Sequence, residues 1–191
     1  MRLRLGNVCA VVAATLPLMA QERAIDTQRS TITIHVGKAG LLAAAAHEHW
    51  VNAPIASGVI DETGAAHVEF KVQSAKMTVR PDPKVDTKID EEIQKDMEVM
   101  TLDTARYPEI VFRSTHVEKV AEGLFKVDGV LTLHGAAKPV SLFVKREGDS
   151  YTGHTVINQT DFGIKPISLG GGMIRIKDPV DIDFQIFARP G

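Results

Sequence analysis

Alternation of apolar and polar residues with a period of two is the feature that most constrains this fold. In STITIHV (30–36), Ile32, Ile34 and Val36 share one face, and threonine and histidine side chains occupy the other. Because each such run has one apolar and one polar face, the chain is predicted to form an antiparallel sheet covered on one side. Five more segments repeat the pattern: HVEFKVQ (67–73), EIVFRSTHV (109–117), LFKVDGVLTLHG (124–135), PVSLFVKREG (139–148) and VDIDFQIFAR (180–189).

Short turn-forming segments separate these runs. They contain glycine beside polar residues, as in DETG (61–64), AEG (121–123), REGD (146–149) and LGGG (169–172). Short strands joined by tight turns predict an antiparallel barrel or a sandwich. A closed barrel also removes exposed strand edges, which otherwise promote aggregation.

One segment, residues 82–108, has helical rather than strand periodicity. Ile89, Ile93, Met97 and Met100 recur at the spacing of a helix face, and acidic residues cluster near the start of the segment. We therefore predict one short helix inserted between strands. We expect its apolar face to pack on the barrel; the alternative is that the methionines form a soft gate over a ligand.

The N-terminal residues have the layout of an export signal. Arg2 and Arg4 precede a short apolar run, and Ala20 stands before a polar stretch. We predict a signal peptide over 1–20, cleaved near Ala20, and a single mature domain over 21–191. The apolar run is short for a bilayer span, so we expect a periplasmic or secreted protein with no stable membrane span.

Removal of the signal would also change the composition of the chain. Cys9, the single cysteine, lies in the signal, so the mature protein would have neither a disulfide nor a thiol nucleophile. The 22 basic and 24 acidic residues become 20 and 24 without Arg2 and Arg4, a net charge of −4. This balance offers no basic patch for nucleic acid.

Catalytic and cofactor-binding motifs are missing from the sequence. It has no Gly-x-Ser-x-Gly elbow, no phosphate- or dinucleotide-binding glycine pattern and no His-Glu-x-x-His helix. We therefore expect a binding protein rather than an enzyme, with no catalytic residues and no cofactor. The sequence leaves a homodimer open.

Two histidines in AAAAHEHW (43–50) allow a competing hypothesis. On a strand, His47 and His49 would point to the same face and could both reach one metal ion. Zinc or copper would need at least a third ligand, for which His134 or His116 is a candidate. The alternative function is thus a metal-binding module, although we favour no metal and assign these histidines to the polar rim of a pocket.

Several ordered motifs resemble the YceI-like family. The most specific are Tyr107-Pro108 before a strand, LTLHG (131–135) followed by Lys138-Pro139, and TDFGI (160–164). The resemblance extends over about residues 25–188. It implies an extended, lipocalin-like antiparallel barrel of about eight strands with one short helix, in an exported bacterial protein that holds an isoprenoid, quinone-like or other long apolar ligand.

The candidate ligand-binding residues follow from the strand faces. We expect the apolar faces of the clearest strands to line the interior and His47, His49 and His134 to make polar contacts at its mouth. The apolar candidates are Phe70, Phe112, Phe125, Leu131, Leu133, Leu142 and Phe184.

Overall fold

The computed structural model describes residues 22–42, 48–63 and 66–190, so the predicted signal peptide lies outside it. One antiparallel sheet dominates this part of the chain and curls round a central space, which confirms the predicted all-β fold with one short helix. Eight strands are seven or more residues long, and four shorter segments extend the sheet. The strands are β1 (Arg23–Ala24), β2 (Thr31–Ala39), β3 (His49–Asn52), β4 (Ile55–Asp61), β5 (His67–Gln73), β6 (Thr78–Val79), β7 (Glu109–Ala121), β8 (Leu124–Leu133), β9 (Ala136–Glu147), β10 (Ser150–Asn158), β11 (Ser168–Leu169) and β12 (Ile174–Phe187).

The strand order explains how the sheet curls. Neighbours run β1-β4-β5-β7-β8-β9-β10-β12-β2-β3-β6, and β11 pairs with β12. Strands β4 and β12 are far apart in this order, but Ile25, which follows β1, contacts both. Its backbone N donates to the Gly58 carbonyl of β4 at 2.9 Å, and it forms a bridge with Ala188 directly after β12. The end of β12 therefore meets β4 through the N-terminal strand, and the wall closes at that point.

A β-bulge corrects the strand phase in the middle of β7. The pairing with β8 shifts between Ser114 and His116. Before the bulge, the even-numbered Ile110 and Phe112 face the interior. After the bulge, the odd-numbered Val117 faces it. The extra residue thus keeps apolar side chains inside along a 13-residue strand.

Glycines in the wall make room for inward-facing phenylalanine rings. A Cβ on Gly129 would lie 2.5 Å from Cζ of Phe112, and one on Gly153 would overlap Cζ of Phe184. Each ring therefore lies against the backbone of a neighbouring strand, where only glycine leaves the space. Rings packed along the wall leave the centre of the barrel open.

The inserted helix, α1 (Thr87–Asp96), is capped at its N-terminus by Asp86, whose side chain accepts a hydrogen bond from the Lys88 backbone N at 2.9 Å. A π-helical turn, Met97–Thr101, continues it. Within the described ranges, no helix is long and apolar enough to cross a membrane.

The predicted packing face of this helix is only partly correct. Met97 is buried, but Ile89 and Met100 are 49% and 66% exposed. A π-helical turn contains more residues per turn than an α-helix, so it rotates Met100 away from the barrel and brings Leu102 onto it.

The motifs that carry the family resemblance meet at one place in the fold. His134 and Gly135 form a two-residue hairpin turn between β8 and β9, both with positive φ, the geometry of a type I′ turn. The Tyr107 ring lies 4.4 Å from the His134 ring, and the Phe162 carbonyl is 3.3 Å from His134 Nδ1. These residues therefore hold loops together at one end of the barrel.

Candidate functional site

The barrel encloses a cavity of about 360 Å³, which we call the lumen. Its volume is in the range of about 300–1,000 Å³ typical of small-molecule sites. Aliphatic and aromatic side chains from all eight long strands line it. The seven apolar residues expected to face the interior all do so, while their contact with a ligand stays a prediction: Phe70, Phe112, Phe125, Leu131, Leu133, Leu142 and Phe184.

The lumen extends along the strands of its wall. On β10, Tyr151, Thr155 and Ile157 all line it. Ile157 lies six positions after Tyr151, which corresponds to roughly 20 Å along a strand. This length suits a chain-like molecule better than a compact one.

One end of the lumen, which we call the polar end, is formed by Asp61, Glu62, His67, Arg146 and Tyr151. The Tyr151 hydroxyl donates to Glu62 Oε1 at 2.6 Å, and Arg146 Nε lies 2.9 Å from the same oxygen. Tyr151 is only 8% exposed, whereas the Glu62 and Arg146 side chains are 30% and 37% exposed, so this hydrogen bond joins the cavity wall to a solvent-accessible rim.

Asp61 is the most buried acid of the polar end, with 7% of its surface exposed. The Thr63 hydroxyl and backbone N both donate to its Oδ1 at 2.7 Å, and His67 Nδ1 lies 4.0 Å from Oδ2. The hydrogen bond from the Thr63 hydroxyl and, to a smaller extent, the one from the Thr63 backbone N hold the pKa of Asp61 below its usual value. The carboxylate is therefore charged at neutral pH.

Tyr151 gives the polar end a measurable signature. Burial, followed by the hydrogen bond to Glu62 and the charge of that carboxylate, raises the pKa of Tyr151 to about 12. Because the pKa of Tyr151 is higher in the folded state than in the unfolded state, the protonated phenol stabilises the folded protein. This contribution is fully present below the ordinary tyrosine pKa of about 10 and is lost as the pH rises towards 12.

We expect an ultraviolet titration of phenolate to show one of the two tyrosines ionising with a pKa of about 12. Tyr151→Phe should remove that step, and Glu62→Gln should move it to lower pH because the carboxylate no longer opposes phenolate formation. A high-pH step that persists in Tyr151→Phe would contradict the assignment.

The opposite end of the lumen lies beside the helical segment. Met97, Leu102 and Ile164 are buried there and line the cavity together with Gln159. The Gln159 side-chain amide donates to the Lys177 carbonyl at 2.8 Å, so it is held by the protein backbone. This end is therefore largely apolar.

The structure separates the three histidines expected at the mouth. His47 lies outside the described residues. His49 begins β3 and has the same strand phase as Val51, which lines the lumen, but His49 is not among the lining residues. His134 contacts Tyr107 and the Phe162 carbonyl and does not line the lumen either. The predicted contacts of His49 and His134 with a ligand therefore have no support from the geometry.

The remaining residues of HEHW lie on the outside of the barrel. Trp50 stacks on His35 with a centroid distance of 4.4 Å, and Glu48 Oε2 lies 3.1 Å from His35 Nε2. Within 22–42, 48–63 and 66–190, no group of three or more His, Cys, Asp or Glu side chains is arranged to hold a metal ion. The metal hypothesis stays untested, because it depends on His47.

Sequence reasoning missed the polar end because its residues lie next to turns. The motifs DETG (61–64) and REGD (146–149) predict turns and by themselves carry no separate signal for a binding site. A signal was present, since Arg146 continues the inward phase of Leu142 and Val144 on β9. A charged residue in the apolar phase of a strand indicates either a barrel end or a binding group.

Comparisons with known proteins agree on one family. A model of the YceI-like domain matches residues 24–188. A UPF0312 protein of Pseudomonas savastanoi pv. phaseolicola is 35% identical over 94 residues, which cover 44% of this chain and 47% of the relative. A UPF0312 protein of Shewanella oneidensis is 34% identical over 79 residues, covering 36% of this chain and 41% of the relative. The chain thus spans about half the length of the curated relatives it matches, or less.

Two solved structures share the fold at low sequence identity. BcnA of Burkholderia cenocepacia superposes with a TM-score of 0.59 at 17% identity, covering 86% of this chain and 99% of that one. A polyisoprenoid binding domain from Saccharophagus degradans, implicated in plant cell wall breakdown, gives 0.61 at 16% identity, covering 88% and 98%. The architecture is therefore that of known YceI-like barrels.

Proposed function

Because the chain belongs to the YceI-like family, we propose that it binds one long apolar molecule inside its barrel and acts as a periplasmic carrier or sequestering protein. The observation that carries this proposal is the lumen itself, a long space lined by aliphatic and aromatic side chains. An isoprenoid, a quinone-like lipid or another long amphiphile has the matching shape and polarity.

The energetics of burial favour such a ligand. Each buried methylene contributes about 0.8 kcal/mol, so about ten of them supply roughly 8 kcal/mol. Association costs about 4–15 kcal/mol in lost freedom. A chain that fills most of the lumen offsets a cost in the lower half of this range, whereas a fragment of a few methylenes does not.

Two further observations support the finer parts of the proposal. The solved domain from Saccharophagus degradans, which shares the fold, is described as polyisoprenoid binding. The periplasmic location depends on the signal-like layout of residues 1–20. We propose binding rather than catalysis because the lumen is lined mainly by apolar residues.

Native mass spectrometry of the purified protein, before and after solvent extraction, tests the proposed function. We expect an added mass that extraction removes and that geranylgeraniol, added back, restores at one molecule per chain. A protein that neither retains nor takes up such a chain would contradict the proposal. N-terminal sequencing of the exported protein tests the location, with a start near Gln21 expected.

A further inference from the structure

We propose, on the premise that the lumen holds a chain-like ligand, that the polar end selects a neutral oxygen head group over an anionic one. The head group is a hydroxyl or a carbonyl, as in a polyprenyl alcohol, a phenol or a quinone. Carboxylates and phosphates on the same chain are disfavoured. Asp61, Glu62, Arg146 and Tyr151 are the residues that make this selection.

The two ends of the lumen differ in what they offer a ligand. The end beside the helical segment, the helical end, is formed mainly by Met97, Leu102 and Ile164. Its polar lining residues are Thr101 and Gln159, and the Gln159 amide is already bonded to the backbone. Side chains that can bind an oxygen atom are concentrated at the other end, around Glu62 and Arg146. An amphiphile therefore places its polar group at the polar end and its tail towards the helix.

The charge balance of the polar end excludes a second anion. The positive charge of Arg146 is already matched by Glu62, whose Oε1 lies 2.9 Å from Arg146 Nε. Asp61 adds a buried negative charge, and Arg23, a second cation near Tyr151, already donates to the Arg189 and Ala188 carbonyls. A phosphate or carboxylate head would meet Asp61 and Glu62 beside cations that already have partners. Because the Arg146 and Glu62 side chains are 37% and 30% exposed, water screens part of this repulsion.

The hydrogen-bonding groups of the polar end suit a neutral oxygen. Among the described residues, both bonds to the Glu62 side chain go to Oε1, which leaves Oε2 to accept from a ligand hydroxyl. Arg146 uses Nε towards Glu62 and the Gly148 carbonyl, which leaves its terminal nitrogens to donate to a hydroxyl or carbonyl oxygen. The buried Tyr151 holds the carboxylate in place.

A competition between two ligands of equal chain length tests this inference. Geranylgeraniol and geranylgeranyl monophosphate carry the same tail, and displacement of a fluorescent prenyl probe measures both affinities. We expect the wild type to prefer the alcohol by at least ~10-fold, because juxtaposed like charges cost several kcal/mol. Glu62→Gln and Asp61→Asn, which each remove one negative charge at nearly constant shape, should both narrow the preference by strengthening phosphate binding.

The matched control is Glu147→Gln. Glu147 follows Arg146 directly but points outwards, is 70% exposed and pairs with Lys145. The Glu147→Gln variant should leave the preference for the alcohol over the phosphate unchanged. It therefore distinguishes an effect of the protein's net charge from an effect of the charges inside the lumen.

The outcomes separate the two proposals. If the wild type binds both chains equally, or if neither lumen variant changes the preference, the head-group inference is overturned and the proposed function stands. If the wild type binds neither chain, the proposed function itself is overturned.

Discussion

Thr155→Trp is expected to lower the affinity for a chain-like ligand by about 100-fold. Thr155 lies midway along the inner wall on β10, opposite Ile182, and faces the lumen. An indole at this position would occupy the path of the ligand and displace about four methylene groups, which are worth roughly 3 kcal/mol. Because the side chain enters an open space, the barrel should remain folded.

The adjacent residue provides the control. Val156 is on the same strand but faces outwards and is 50% exposed. Val156→Trp adds an equally large ring on the outer face and should change the affinity by less than about twofold. Displacement of a fluorescent prenyl probe measures both variants. A folded Thr155→Trp protein that binds the chain as tightly as the wild type would show that the ligand does not use the lumen.

Ile25→Ala is expected to have the largest effect on stability, lowering the free energy of unfolding by about 2–5 kcal/mol. Ile25 is 2% exposed and is one of the most deeply buried side chains. It lies where the N-terminal strand joins β4 to the end of β12, between the Gly58 carbonyl and Ala188. Truncation leaves a cavity at the closure point, which the fixed strands on both sides cannot fill.

The same substitution at an exposed position isolates this effect. Ile89 on α1 is 49% exposed, so Ile89→Ala should change the unfolding free energy by no more than about 0.5 kcal/mol. Urea denaturation followed by circular dichroism measures both variants. Equal midpoints for Ile25→Ala and the wild type would contradict the role given to the closure.

The faces of the strands could be predicted from the sequence because strand phase is a local property. Side chains alternate every residue, so Phe70, Leu142 and Phe184 could each be assigned to the inside from their immediate neighbours. The turns and the inserted helix are also local, since glycine and helical spacing are visible within a few residues.

Features that depend on distant partners could not be predicted in this way. The bridge between Ile25 and Ala188 joins opposite ends of the chain. The bulge near Ser114 reverses the strand phase without any distinctive residue, and the π-helical turn moves Met100 to the surface. The polar end likewise forms only when the loop after β4 meets β9 and β10, which brings Glu62 to Arg146.

The location of a bound chain tests the central claim most directly. A crystal structure of the protein with a long alcohol that carries bromine at the end of its tail would locate the tail by the anomalous scattering of the bromine. We predict bromine inside the lumen, near Met97 and Leu102, with the hydroxyl group beside Glu62 and Arg146. A chain bound on the outer face of the barrel, or a lumen without density under saturating alcohol, would contradict the account.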